Sequence, residues 1–472
     1  MKHENEKPGL APIPEPSFKI PFLGHLLSLK GNTLSSFINL YSKLGPIYRL
    51  HLGSYDIVVI TSFELVKEVC DDSRFDKYLG VVFGGIKTEL LKDGIGTVLT
   101  NEPIWGIAHR ILMSGFTQKA VQENHFKGMA ETVKTLLAKW DNTPNGKEIN
   151  LNDEINRTTL DIVCLCGFDF RFNAISSKDV NPFINTVDDL VYSIIARSIL
   201  PNFLNVIRFR KNREINRTVA LLYDCVDDII EGKKGKVNSP GASNDFLSAM
   251  LNDVDKITGQ KLDIANIRNQ IMSIIFAGHL TSAGLISFAF YALMTYPDVR
   301  AKAYAEVDAV LGTDLNKPPE GQDFLNLTYI TRILNECLRL WPPAALIERC
   351  PIEDTLLGGK YPVKKGQCIW QVISVVQRDK AIWGMDADLF NPDRFAPELV
   401  ASRDPCSFIP FGTGKRGCLG RQFAMFEASV IVGMILQRYR LHLKPDYQFK
   451  TITSSALRPS TMWVTLEKRQ FN

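Results

Sequence analysis

The sequence lacks a surplus of charge of either sign. Its 55 Lys and Arg stand against 51 Asp and Glu, a net +4 on 472 residues, too weak a bias for the electrostatic footprint of a nucleic-acid partner. It also lacks a cysteine pattern. Cys70, Cys164, Cys166, Cys225, Cys337, Cys350, Cys368, Cys406 and Cys418 are odd in number, share no repeated spacing and follow no signal peptide. Free thiols in a reducing, cytoplasmic setting are expected rather than a disulfide framework. Cys164 and Cys166 fit neither a zinc knuckle nor a redox pair and read as core. Long hydrophobic runs are scarce too. Only residues 271–294 go without Lys, Arg, Asp or Glu over a length that could cross a bilayer. Ser273, Gly278, His279, Thr281 and Ser282 interrupt that run, and no second run pairs with it, so a buried central helix is expected instead of a span. No membrane anchor helix is expected at the start of the chain. Residues 1–25 begin charged and turn proline-rich, with Pro8, Pro12, Pro14, Pro16 and Pro21 keeping the backbone extended.

What is there suits a large core: 45% of residues are hydrophobic and 22% charged. Residues 47–53 and 55–61 are β-branched-rich runs around Gly53 and Ser54, which predicts a hairpin. Apolar residues at three- and four-residue spacing predict helices over 62–71, 124–140, 153–166, 219–230 and 422–437. The glycine- and lysine-rich 232–243 stretch predicts a surface loop, and alternation after Lys444 predicts a few strands. Without internal repeats or a compositional break, the chain is expected to be one mainly α domain, residues 1–472, with small β-sheets.

Three local patterns carry chemistry. In Phe411-Gly412-Thr413-Gly414-Lys415-Arg416-Gly417-Cys418-Leu419-Gly420 a glycine-rich loop delivers one cysteine just ahead of a helix starting near Arg421. Gly414, Gly417 and Gly420 let the backbone pass close to a flat group, and amides and the helix N-terminus favour a thiolate. Alone, Cys418 would read as a buried thiol in a tight turn. Glu336 and Arg339 lie one turn apart on one helical face, followed by Trp341-Pro342-Pro343 and Phe390-Asn391-Pro392-Asp393-Arg394-Phe395. In the uncharged helix, Ala277-Gly278-His279-Leu280-Thr281-Ser282 places small residues where a ligand can sit against the backbone. Alone, Thr281 would bond back to its own helix.

Together these patterns resemble the cytochromes P450. The resemblance implies a triangular, mostly α fold holding haem b, with the sulfur of Cys418 on the iron, Arg416 pairing a propionate and Phe411 shielding the thiolate. It implies a buried structural triad of Glu336, Arg339 and Arg394. It also implies an oxygen-binding groove at Gly278 in which Thr281 relays protons. Trp105 and His109, four residues apart on one helical face, match a pair that reaches a propionate, and Arg349 matches another propionate-binding arginine. The segments CDDSRFDK, CGFDFRFN, LLGGKYPVKKG and RDKAIWG are similar to reductase-fused fatty-acid hydroxylases of bacteria and fungi. The implied activity is insertion of one atom of O2 into a small apolar organic substrate, by hydroxylation or epoxidation. Electrons would come from a flavin reductase or ferredoxin, external or as a missing fused domain, since the residues after Cys418 leave no room for a reductase. Lys415, Arg421 and Arg110 are candidates to meet an acidic donor.

The sequence departs from that pattern in three places. Leu280 occupies the position where the family has an acid, which leaves proton delivery open and admits a peroxide-driven oxygenase or a rearrangement enzyme as the alternative. Tyr55 and Val59 replace the arginine and tyrosine that clamp a fatty-acid carboxylate. Gly96 replaces a bulky phenylalanine over the haem and predicts a wider pocket. Gly96, Tyr55, Val59, Ala277, Leu280 and Ala345 are the expected pocket residues, with the 180–217 helices around them. A non-catalytic haem sensor is a further reading, against which Thr281 argues.

Overall fold

The computed structural model describes residues 9–29, 33–144, 146–177, 182–200, 209–234, 244–453 and 455–471. The first eight residues of the proline-rich segment, 235–243 of the expected loop, and 180–181 and 201–208 of the expected pocket helices lie outside them.

One helix organises the rest. Ile264–Thr295 runs 32 residues, with the Asp263 side chain accepting from the Asn266 N–H at its start. Apolar residues on all its sides demand burial all round, and 78% of its most apolar 18-residue window is inside the protein. Among the described residues it is the one helix long and apolar enough to cross a membrane. Helices Leu151–Phe168, Thr328–Leu340, Phe209–Lys233 and Arg421–Arg438 pack against this central helix.

Most periodic segments fold as their spacing predicts, with boundaries set by caps. Ser62 accepts from the Leu65 N–H and starts Phe63–Val69. Asn150 starts Leu151–Phe168, which ends at Asp169 in the left-handed conformation. The 219–230 segment is part of a longer helix, Phe209–Lys233.

The hairpin pairs Ile47–Leu52 with Tyr55–Ile60, Ile47 opposite Ile60 and Leu52 opposite Tyr55. Gly53 turns it at φ +59, and a side chain there would strike the Ile199 carbonyl. Cys368–Gln371 adds in parallel to Tyr55–Ile60, and Ile347–Pro351 and then Phe75–Lys77 complete a five-stranded sheet. Of the strands after Lys444, Trp463–Lys468 lies between Tyr439–Leu443 and Ile149–Asn150, and Thr451–Thr453 pairs with Leu457–Pro459.

The acid and arginine of the Thr328–Leu340 helix are both fully buried, at 0% exposure. Arg339 grips Glu336 with two hydrogen bonds of 2.7 Å and donates to the carbonyls of Gln377, Ala387 and Leu389. Arg394 completes the group from 3.7 Å while donating to the Trp383 and Asp386 carbonyls. Every donor of Arg339 is thereby used, the condition under which a buried ion pair is tolerable. The cluster ties the Thr328–Leu340 helix to Gln377 and to residues 383–391.

Candidate active site

A cavity of about 430 Å³ lies between the central helix and the 411–420 loop. Its walls are mostly apolar, with Phe83, Ile95, Phe116, Ile274, Leu285 and Leu346 among them. Cys418 lies deep in the protein, yet its side chain is open to this cavity. The loop is held from two sides: the Cys418 N–H donates to the Phe411 carbonyl at 2.7 Å, and the Lys415 N–H donates to Asp72 at 2.8 Å. Gly414 sits at φ +65 against the Asp72 carboxylate, where a side chain has no room. Burial pushes the Cys418 thiol up, while the Gly420 N–H and Arg421 pull it down. A cation at the sulfur would add a far larger pull toward thiolate.

One end of the cavity is basic. Arg416 donates to the Val98 carbonyl at 2.7 Å, lies 4.8 Å from the Trp105 ring centre, and keeps Nη1 buried without a partner. Arg349 pairs with Asp72 at 2.5 Å and keeps Nε buried without a partner. Trp105 and His109 share a face of the Pro103–Met113 helix, their rings 5.2 Å apart. Burial lowers the His109 pKa, with Arg416 and Arg110 adding to the effect. Lys77 donates to the Gly96 carbonyl; burial, then Arg416, pushes it down to about 7. Unpaired buried donors are costly, and these converge on the cavity that Cys418 faces.

The opposite wall includes Ser273, Ala277, Gly278, Thr281 and Ser282 of the central helix. Their spacing puts them on one helical face. The Thr281 hydroxyl donates to the Ala277 carbonyl at 2.7 Å.

A thiol in a glycine loop, a basic rim with orphaned donors and a small-residue helix face thus enclose one apolar space. The cytochrome P450 family model matches residues 14–466. The chain belongs to the cytochrome P450 family. It is 37% identical over 460 residues to a bifunctional cytochrome P450/NADPH–P450 reductase of Bacillus subtilis, covering 97% of this chain and 42% of that protein. It is 34% identical over 453 residues to a self-sufficient cytochrome P450 monooxygenase of Penicillium freii, covering 95% and 42%. A bifunctional P450/reductase of Fusarium oxysporum is 34% identical over 463 residues, covering 97% and 43%. The chain spans less than half the length of these curated relatives.

The P450 family implies a haem-iron cofactor, and the residues present fit it. Cys418 could ligate the iron, and the free N–H groups of Arg416 and Arg349 could take propionate oxygens, with Lys77, Trp105 and His109 beside them. Phe411 lines the cavity next to the loop, and Arg421 lies 5.7 Å from its ring centre.

Not every expected P450 pocket residue lines the cavity. Leu280 is 8% exposed and outside the lining, its side chain packed into the main hydrophobic core. Val59 is 0% exposed inside the five-stranded sheet, and Tyr55 also lies outside the lining. Ala344 and Leu346 reach the cavity while Ala345 between them does not. Gly278 lines it, but a methyl group there would stand 2.9 Å from Val163 Cγ2. Its smallness therefore admits the neighbouring helix. Gly96 does line the cavity, its N–H 3.3 Å from the Ser273 hydroxyl. Of the cations considered for a redox partner, Lys415 and Arg421 are exposed, whereas Arg110 is held in two hydrogen bonds to Asp255, at 2.6 and 2.8 Å.

Asp72 and Lys77 were not singled out as site residues by sequence reasoning. Both sit in the CDDSRFDK segment, where their spacing carries no sign of the distant groups they meet.

Proposed function

We propose that the chain is a haem-thiolate monooxygenase that inserts one oxygen atom of O2 into an apolar organic substrate. The observation that carries this reading is the Cys418 thiol opening into the same apolar cavity as Thr281, at whose rim buried arginine donors lack partners. Haem b, bound through Cys418, would supply oxygen activation and O–O cleavage when present. The protein's part is positional. Arg416, Arg349 and Lys77 bind the carboxylates of the flat cofactor, with Trp105 and His109 packed alongside, and the apolar walls exclude water. Thr281 holds a proton on the cavity side of the central helix. Phe411 covers the sulfur.

The electrons come from an NADPH–P450 reductase, the partner named in the bifunctional relatives, rather than from a free-standing flavin reductase or ferredoxin. Lys415 and Arg421, both exposed, suit an acidic donor face. A cytoplasmic setting is supported by nine free cysteines and the buried central helix.

The substrate differs from a straight-chain fatty acid in needing no carboxylate clamp, since Tyr55 and Val59 offer none, and Gly96 leaves width near Ser273. Titrating the ferric holoprotein tests this. A palmitate-sized acid should leave the haem spin state unshifted while broader neutral apolar compounds shift it; saturable conversion by the acid alone would overturn the substrate reading. NADPH-dependent product formation with a reductase present tests the activity itself.

A further inference from the structure

Among the described residues that line the cavity, Glu348 is the one carboxylic acid, and it is 4% exposed. It stands on the Ile347–Pro351 strand opposite Trp370 of the Cys368–Gln371 strand, whose indole N–H donates to Glu348 Oε1 at 2.9 Å. On the other side the Gly80 N–H donates to Oε2 at 3.1 Å, and the N–H groups of Val82 and Phe83 donate to the same carboxyl. Burial pushes the Glu348 carboxyl up, while the Trp370 indole and these backbone donors pull it down. Every partner is an N–H, the set that an acceptor-only carboxylate completes. The Glu348 carbonyl takes the Tyr78 N–H as well, at 3.3 Å.

Residues 78–82 belong to no strand or helix, so their place depends on such contacts. Tyr78 and Phe83, at the two ends of this stretch, line the cavity. Gly80 is the point of closest approach: a methyl group there would stand 2.8 Å from Glu348 Oε1 and 2.9 Å from the Tyr78 ring. Lys77 joins this stretch to Gly96. Its ammonium donates to the Gly96 carbonyl and lies 5.2 Å from the Phe83 ring centre. The width left by Gly96 therefore adjoins an aromatic wall whose backbone is tied to a single carboxylate.

We propose that Glu348 is a positioning residue that sets ligand specificity, holding residues 78–83 against the sheet so that Tyr78 and Phe83 form the wall on which an uncharged ring packs. The inference deepens the substrate reading and rests on the haem site of the monooxygenase reading.

The test titrates the ferric holoprotein with imidazole, which needs only the iron, and with N-phenylimidazole, whose phenyl ring also needs the wall. Glu348→Gln keeps the size of the side chain but turns an NH2 group toward N–H donors, leaving the sheet side or the loop side unpaired. It should weaken N-phenylimidazole by about tenfold, the scale of one lost buried hydrogen bond, and imidazole by less than about twofold. Haem content and the reduced-carbonyl band should match the parent. Gly80→Ala attacks the same contact from the loop side and should reproduce the ligand discrimination. The double variant should bind N-phenylimidazole about as well as either single one, because both break one contact. An unchanged ratio of the two affinities in Glu348→Gln and Gly80→Ala overturns the positioning role and leaves the oxygenase reading standing. Equal weakening of both ligands overturns it too, since the damage then lies at the iron and not at the wall. A holoprotein whose parent form gives no nitrogen-ligation shift with imidazole overturns the haem-site reading, and this inference with it.

Discussion

At the scale of single residues, Glu427 should govern part of the pH dependence of stability. Its folded pKa is raised to about 8 by burial, above its unfolded value, so the folded state binds the extra proton between the two. The stability contributed is full below the unfolded value and is lost as pH rises toward 8, at up to about 1.4 kcal/mol per pH unit. Urea unfolding of parent and Glu427→Gln at pH 5 and pH 8 should show the parent losing a few kcal/mol relative to the variant; parallel pH profiles would contradict the burial argument. Nothing in the sequence pointed to Glu427. Its helix carries apolar residues on every side, so spacing gave no polar face to which it belonged. The pairing of Asp72 with Arg349 was hidden by distance, the two lying 277 residues apart in the chain. Cys418 was legible because its glycines, arginine and following helix are all local.

At the scale of elements, the contact of the central helix with Leu151–Phe168 depends on Gly278. Gly278→Ala should cost about 1–3 kcal/mol by overpacking against Val163, and Val163→Ala should return most of it. A double-mutant cycle of thermal or urea unfolding measures this coupling, and simple additivity would remove Gly278 from the packing role. In the Thr328–Leu340 helix, Arg339→Ala leaves Glu336 buried without its partner and should cost about 3–5 kcal/mol, read as a lower unfolding midpoint; a surface-like loss under 1 kcal/mol would contradict the geometry. The Glu336–Arg339 pair was legible because one turn of helix brings the two together. Tyr55 and Val59 were misplaced for a different reason. Ile57, Val58, Val59 and Ile60 are all 0% exposed, so both faces of the strand are covered and alternation cannot say which one meets a ligand.

At the scale of the whole molecule, the mainly α class with small sheets followed from helical spacing and one uncharged helix. The parallel pairing of Tyr55–Ile60 with Cys368–Gln371 joins segments too far apart for spacing to reveal, and the sheet built on it lends Lys77, Ile347, Arg349 and Gln371 to the cavity lining. Gly96 sits on that cavity with Ser273 as its near neighbour. Gly96→Phe should therefore exclude broad ligands from the ferric holoprotein, weakening their spin-shift titration by about tenfold or more through steric loss, while haem content stays constant. Unchanged binding of broad ligands would place the substrate elsewhere. All of this depends on Cys418 holding haem iron as a thiolate. The most direct measurement is the carbonyl difference spectrum of the reduced holoprotein beside that of Cys418→His at equal haem content. We expect the thiolate-type band in the parent and an imidazole-type band in the variant. A parent without the thiolate-type band, or a variant that retains it, would contradict the assignment of Cys418.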